Sequence, residues 1–260
     1  MDYAKIKVAA EGPVTVVTLA DPATMNAAGV DTAGELRHAF DEATKAGSAT
    51  RCIVLTGEGR GFCSGANLSG GGAGGGGDAG SSLESVYNPL VTAIRDLSVP
   101  LVTAVNGAAA GVGCSLALLG DLIVAGESAY FLQAFRRIGL IPDGGSTYLL
   151  PRMVGRARAM EMALLGERVS AAKALEWGMI NRCVPDAELM PTAMALADEL
   201  ARGPASLGLT RQTIWAGLDS EWSDQLRREA QGQTKAGRTE DFREGVAAFL
   251  QKRPAQFKGK

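Results

Sequence analysis

A single histidine, His38, is all that this 260-residue chain holds. A serine hydrolase needs a histidine beside its nucleophile, and most zinc sites need several nitrogen or sulfur donors. Either would have to be built on this one residue. It falls in Asp31–Thr44, which reads as a helix with Leu36, Phe40 and Ala43 marking the buried face at i, i+4 and i+7. His38 lies two residues past Leu36, so it points the other way and is expected in solvent. Cysteine is also scarce. Cys52, Cys63, Cys114 and Cys183 lie far apart without a CxxC, which excludes a zinc pattern and a disulfide framework and leaves thiols of a reducing compartment. No window of about 18 uncharged apolar residues occurs, so no membrane span is expected. Met1–Lys5 lacks the apolar stretch of a secretory leader, and the cytoplasm is the expected location.

Charge of one sign is missing as well. Lys and Arg total 26, Asp and Glu total 28, and the formal net charge is −2. That balance gives no general reason to bind nucleic acid or an anionic membrane. Aromatic residues are only 5%, but 46% of the chain is hydrophobic. A chain of this length and composition builds one large folded domain, or one with an appendage.

What the chain has is glycine, 34 residues of it. Strand-like and helix-like segments alternate through the first two thirds. Val14–Leu19, Arg51–Thr56, Leu101–Val105 and Asp121–Ala125 read as strands. Helices are expected over Asp31–Thr44, about Leu83–Leu97, and Gly113–Leu119, with Gly120 at the C′ position of the last. This alternation predicts an α/β fold with a largely parallel sheet over residues 1–154. From Gly155 the pattern is almost entirely helical. Ser170 is placed to cap a helix ending at Gly178. Thr239 is placed to cap another whose apolar stripe is Phe242, Val246, Phe249 and Leu250. Residues 155–260 are thus expected as a helical region that covers the pocket or joins subunits. Gly70–Gly77 is low-complexity and reads as a mobile surface loop.

Three glycine-rich turns follow strands: Gly57–Leu68, Asn106–Ser115 and Gly139–Thr147. In parallel sheets ligands bind beyond the carboxyl ends of strands, where glycine lets backbone N–H groups come close. Two such turns would suit a developing oxyanion. No GxxxxGK[ST] is present, so a P-loop is excluded. Gly111-x-Gly113 opens a helix as a dinucleotide fingerprint would, but Leu116 stands at the third glycine position.

In chain order, Phe62–Leu68 (FCSGANL), Asn106-Gly107 through Gly111-Val112-Gly113, Gly120-Asp121, Gly139–Pro142 (GLIP) and the Phe249–Lys260 tail resemble the crotonase, or enoyl-CoA hydratase/isomerase, superfamily. Tyr87–Val91, Ile138–Leu165 and the C-terminal FREGVAAFLQKR look most like its ring-epoxide isomerase branch. The resemblance implies a crotonase-like spiral of ββα units with a C-terminal helical region. It implies an acyl-CoA thioester substrate, with coenzyme A as part of the substrate and no separate cofactor or metal. It also implies a homotrimer or a hexamer. The oxyanion-hole amides would be those of Ala66 and Val112. Ser64, Gly65, Leu68 and Gly111 would line the coenzyme A channel, and Phe249 and Lys252 would reach its nucleotide, often from a neighbouring subunit.

The departures from the family bear on the reaction. Family hydratases use two glutamates, and here those positions hold Ser115 and Phe135. Neither is a general base, and Phe135 is expected as an apolar wall. Asp143, in Pro142-Asp143-Gly144, matches the catalytic aspartate of the epoxide isomerase branch, although Pro-Asp-Gly is also a turn signature in its own right. One carboxylate suits a 1,3-proton shift. Two alternatives stand beside it: a hydratase of broad or weak activity, and a non-catalytic acyl-CoA-binding protein.

Overall fold

A computed structural model describes residues 2–67 and 79–260. Leu68 and the Gly70–Gly77 loop lie outside the described residues.

β1 (Ile6–Glu11) and β2 (Val14–Leu19) form an antiparallel hairpin, and α1 (Val30–Thr44) follows. The chain then repeats one unit three times. A strand of a large sheet turns into a three-residue strand of a small sheet, and a helix comes next. The first unit is β3 (Cys52–Gly57) and β4 (Gly61–Cys63). Its helical part is α2 (Ala79–Ser82), a π-helical turn over Leu83–Tyr87, and α3 (Asn88–Arg95). The second is β5 (Leu101–Val105), β6 (Ala108–Ala110) and α4 (Val112–Leu118). The third is β7 (Leu122–Gly126), β8 (Tyr130–Leu132), a 3-10 turn at Ala134–Ile138, and α5 (Ser146–Leu165). The expected spiral of ββα units is therefore present, repeated in structure without repetition in sequence.

The last third is not purely helical. β9 (Val169–Ser170) pairs antiparallel with β8, and after α6 (Ala171–Glu176), β10 (Arg182–Val184) pairs parallel with β7. Both strands are too short to leave a period-2 pattern. α7 (Leu189–Arg202), α8 (Ser206–Gly217), α9 (Trp222–Ala236) and α10 (Glu240–Leu250) complete the chain. Strand order is β1-β2-β3-β5-β7-β10 in the large sheet and β4-β6-β8-β9 in the small one.

The inner strands β2, β3, β5 and β7 of the large sheet are buried on both faces, which is why they read as continuous apolar runs. Val17, Ile53, Leu55, Leu101 and Ile123 face the small sheet, α1 and α4, where they meet Phe40, Phe62, Leu116 and Phe131. Val16, Cys52, Val54, Val102 and Val124 face the other way, onto Leu189, Ala193, Leu196 and Ala197 of α7. A buried ion pair ties the helical region to this core. The Arg211 guanidinium donates to Asp121 Oδ2 at 2.6 Å and to the carbonyls of Ile94, Arg95 and Leu97. The Asp121 Oδ1 accepts from Trp215 Nε1 at 3.2 Å.

Both expected caps form: Ser170 Oγ accepts from the Lys173 N–H, and Thr239 Oγ1 from the Phe242 N–H. Gly120 differs from its expected role. It does not take the left-handed conformation of a C′ glycine. Instead it packs so tightly that a Cβ there would lie 2.4 Å from Thr103 Oγ1. His38 differs too. It is half-buried, with Nδ1 2.8 Å from the Tyr3 hydroxyl and the two rings edge to face. The stripe of Phe242, Val246, Phe249 and Leu250 faces outward from this chain, with Phe249 83% exposed.

Candidate active site

Three segments converge because three short strands are neighbours. β4, β6 and β8 lie side by side and parallel, so the chain leaving each one emerges at the same edge of the small sheet. Ala66 follows β4, Gly111-Val112 follows β6, and the stretch from Gln133 to Asp143 follows β8. Gly111 N–H donates to Leu132 O at 2.9 Å and joins two of these exits. The sequence pattern placed the turns directly after strands of the large sheet. In the structure a short strand of the second sheet stands between, and that strand sets the convergence.

Ala66 sits in an isolated parallel bridge with Ala28. In a parallel pairing one residue bonds to the two that flank its partner, and here Ala28 N–H donates to Gly65 O at 2.8 Å. The Ala66 N–H therefore faces away from Ala28. Val112 is the first residue of α4, so its N–H has no acceptor inside the helix. The two turns that carry these amides touch. A Cβ on Gly65 would lie 3.1 Å from Ala110 O, and one on Gly111 would lie 3.8 Å from the Gly65 Cα and 3.7 Å from the Phe135 ring. Gly113 brings α4 against β4, since a Cβ there would lie 2.2 Å from Cys63 O. Phe135 is buried and forms the wall beside Gly111.

The Asp143 carboxyl is partly buried, and its Oδ1 has no hydrogen-bond partner among the described residues. Burial is the cause that raises it, from the ordinary 3.8 to about 6. At neutral pH it is thus ionised yet basic enough to take a proton, as a general base must be. Its backbone carbonyl is crowded by donors instead. Ser115 Oγ and Ser146 Oγ each donate to it at 2.9 Å, and the Ser146 N–H donates at 3.1 Å. Ser115 is fully buried.

Tyr87, Ser146, Gln133 and Ala28 belong to this site and escaped the sequence reading. The Tyr87 hydroxyl donates to Ala28 O at 2.6 Å. The Tyr87 phenol is held up at about 12, chiefly by burial and in part by the nearby Asp143 charge. Gln133 is fully buried, with Nε2 unpartnered among the described residues and Oε1 3.5 Å from Ser146 Oγ. The sequence signal for Tyr87 was its place in the Tyr87–Val91 run that resembles the ring-epoxide isomerase branch. Cys63 and Cys114 are buried close by, and burial lifts their thiols to about 11 and about 12, so both stay neutral.

Other expected residues stand further out. Ser64 donates its N–H to Met25 O at 3.0 Å and its hydroxyl to Thr24 O at 2.8 Å. Phe249 and Lys252 are not brought to the site by their own chain. Their helix, α10, is held by Asp241, which accepts from the Ala205, Lys258 and Gly259 N–H groups. Arg51, just before β3, donates to Phe257 O in that tail and to Gly203 O at the end of α7. The tail thus sits at the amino end of β3, whereas Ala66 lies beyond its carboxyl end.

The family model for enoyl-CoA hydratase/isomerase matches residues 9–260. The chain is 45% identical over 254 residues to the 1,2-epoxyphenylacetyl-CoA isomerase of Escherichia coli K12, covering 96% of this chain and 97% of that one. It is also 45% identical over 265 residues to a protein of Rhodobacter capsulatus named as a probable enoyl-CoA hydratase, covering all of both. Its fold is similar to the crystal structure of an enoyl-CoA hydratase from Bacillus anthracis, with a TM-score of 0.92, 29% identity, and 99% and 100% of the two chains covered.

Proposed function

The chain belongs to the enoyl-CoA hydratase/isomerase family, and on that premise we propose that it is an acyl-CoA isomerase with Asp143 as its single base. Asp143 removes a proton from the acyl chain. The thioester oxygen takes up the charge and is held by the Ala66 and Val112 N–H groups, a contribution of about 3–4 kcal/mol for each such donor. The protonated Asp143 then returns the proton two carbons away. A 3-enoyl-CoA becomes a 2-enoyl-CoA, or a ring epoxide opens to an oxepin. The proton moves within one molecule, so the step calls for no redox cofactor or metal, and coenzyme A enters with the substrate.

The observation that supports this reading is a partly buried Asp143 carboxyl whose Oδ1 has no partner among the described residues, with a serine and a phenylalanine at the positions of the family's glutamates. Ser115 is buried and bonded to backbone, and Phe135 is a hydrocarbon wall. Neither supplies a base to activate water. The relative from Rhodobacter capsulatus favours the second reading, hydration of an enoyl-CoA.

Heavy-water exchange and isomerisation of a 3-enoyl-CoA, followed in wild type and Asp143→Asn side by side, decides between them. Isomerisation lost in the variant supports the proposal. Equal activity in both removes Asp143 from its role. Hydration of crotonyl-CoA that survives the substitution supports the second reading.

The exposed stripe on α10 supports assembly into a homotrimer or hexamer, in which Phe249 and Lys252 serve the coenzyme A nucleotide of a neighbouring subunit. A gel-filtration mass equal to one chain overturns this. No described helix is long and apolar enough to cross a membrane, and the proposed setting is the cytoplasm.

A further inference from the structure

We propose that Ser115, together with Ser146, is a positioning residue for Asp143: their hydroxyls hold the Asp143 backbone carbonyl, and this leaves the carboxyl to face the substrate, its Oδ1 without a donor among the described residues. The inference rests on Asp143 being the base of the proposed isomerisation.

Three donors meet on one carbonyl oxygen. Ser115 Oγ comes from α4, 28 residues earlier in the chain, and Ser146 Oγ and N–H come from the start of α5. A peptide plane held from two helices cannot swing, so the Cα–Cβ bond of Asp143 is aimed. The next two residues are both left-handed, Gly144 at φ 59° and Gly145 at φ 83°. Only glycine takes that pair of conformations without strain. Gly144 lies flat on Ser115, and a Cβ on Gly144 would come within 2.8 Å of Ser115 Cβ and 3.0 Å of its Oγ.

The arrangement also explains what the carboxyl lacks. Two hydroxyls meet on the backbone carbonyl of this same residue, and a hydroxyl turned to the carboxyl instead would stabilise its charged form. Both are committed to the carbonyl. The carboxyl is therefore left desolvated, with Oδ1 unpartnered among the described residues. The titratable group near it is Tyr87, whose phenol stays neutral far above the range in which Asp143 titrates.

The test uses the full-length protein. Ser115→Ala removes one hydroxyl and leaves the Asp143 carbonyl two donors, so the variant should fold. Steady-state isomerisation of a 3-enoyl-CoA is measured across pH, and the Asp143 carboxyl is titrated by carbon-13 NMR, assigned by its loss in Asp143→Asn. We expect kcat to fall about 10- to 100-fold with KM within about twofold, as for a misaimed catalytic group. The acidic limb of kcat and the NMR titration should both move to lower pH, because the freed carboxyl gains water. Ser146→Ala should do the same, and it carries the test if Ser115→Ala does not fold. A merely structural role would lower the melting temperature and leave kcat and the titration in place, and that result overturns the proposal. If wild type shows no isomerisation, the functional reading fails, and the NMR titration still decides whether the serines set the carboxyl.

Discussion

The Tyr87 hydroxyl donates to the Ala28 carbonyl at 2.6 Å, across 59 residues of sequence. Ala28 is bridged in turn to Ala66, whose amide is proposed as an oxyanion donor. Tyr87 also lies close enough to Asp143 for the carboxylate to help hold up its phenol. One buried ring is thus bonded to the Ala28 side of the site and lies within the field of its carboxylate. Tyr87→Phe keeps the ring and removes the donor. We expect a stability loss of about 1 kcal/mol and a roughly tenfold fall in kcat, since small displacements of oriented groups are costly. Melting curves and steady-state kinetics on one preparation check this. A stability loss with full kcat would confine Tyr87 to packing.

Asp143 should write its titration into the rate. The carboxyl is raised to about 6, so kcat/KM should fall about tenfold per pH unit below that value and level off above it. A flat profile between pH 5 and pH 8 (a range of roughly three units around this value) would exclude Asp143 as the base.

The same shift has a consequence for stability. The folded-state value lies above the unfolded one, so between about 3.8 and about 6 the folded chain binds more protons than the unfolded chain. Stability attributable to this group therefore falls as pH rises through that window and stays low above it. Asp143→Asn should raise stability at about pH 8 by something on the order of 1 kcal/mol, after discounting for the solvent-facing part of the carboxyl. Below about pH 3.8 the difference should vanish. Urea denaturation at the two pH values measures it, and a variant less stable at about pH 8 would contradict the desolvated carboxyl.

Two glycines should respond to alanine in opposite directions. Gly113 has the Cys63 carbonyl 2.2 Å from where a Cβ would stand, and backbone cannot step aside cheaply. Gly113→Ala should cost about 3 kcal/mol and lower activity in what still folds, because it separates β4 from α4. Gly34, inside α1, has open space around it and no left-handed backbone. Gly34→Ala should stabilise by about 0.5–1 kcal/mol and leave kinetics unchanged. Denaturation midpoints of the pair check both.

Arg211 is 5% exposed and joins α8 to Asp121 and to the end of α3. Arg211→Ala leaves the Asp121 carboxylate, among the described residues, with the Leu101 N–H and the Trp215 ring N–H. Breaking a buried pair from one side costs about 3–5 kcal/mol. Denaturant unfolding should show a loss of that size, and a loss below about 1 kcal/mol would mean that water replaces the guanidinium.

Much of the scaffold was legible because its signals are local. Val14–Leu19 and Leu101–Val105 are apolar on both faces, and they became central strands buried on both sides. Ser170 and Thr239 were placed to cap and do so. The short strands β4, β6, β8, β9 and β10 were illegible. Two or three residues carry no period, and their pairing is decided by neighbours distant in sequence. His38 was misplaced for a related reason. Helical spacing gives its direction but not that Tyr3 waits there.

The sequence by itself determined the chemistry on offer: one histidine, dispersed thiols, no glutamate at 115 or 135, and an aspartate at 143 in a turn. These are facts of composition and order, and no folding was needed to read them. Only the tertiary structure decided what that aspartate is. It brought β4, β6 and β8 side by side, so that the segments carrying Ala66, Val112 and Asp143 all leave the small sheet at one edge. It also turned Ser115 and Ser146 onto a carbonyl and left the carboxyl partly buried, with Oδ1 unpartnered among the described residues. Basicity here comes from desolvation and from where nearby donors point, and both are properties of packed neighbours that no stretch of the chain encodes alone.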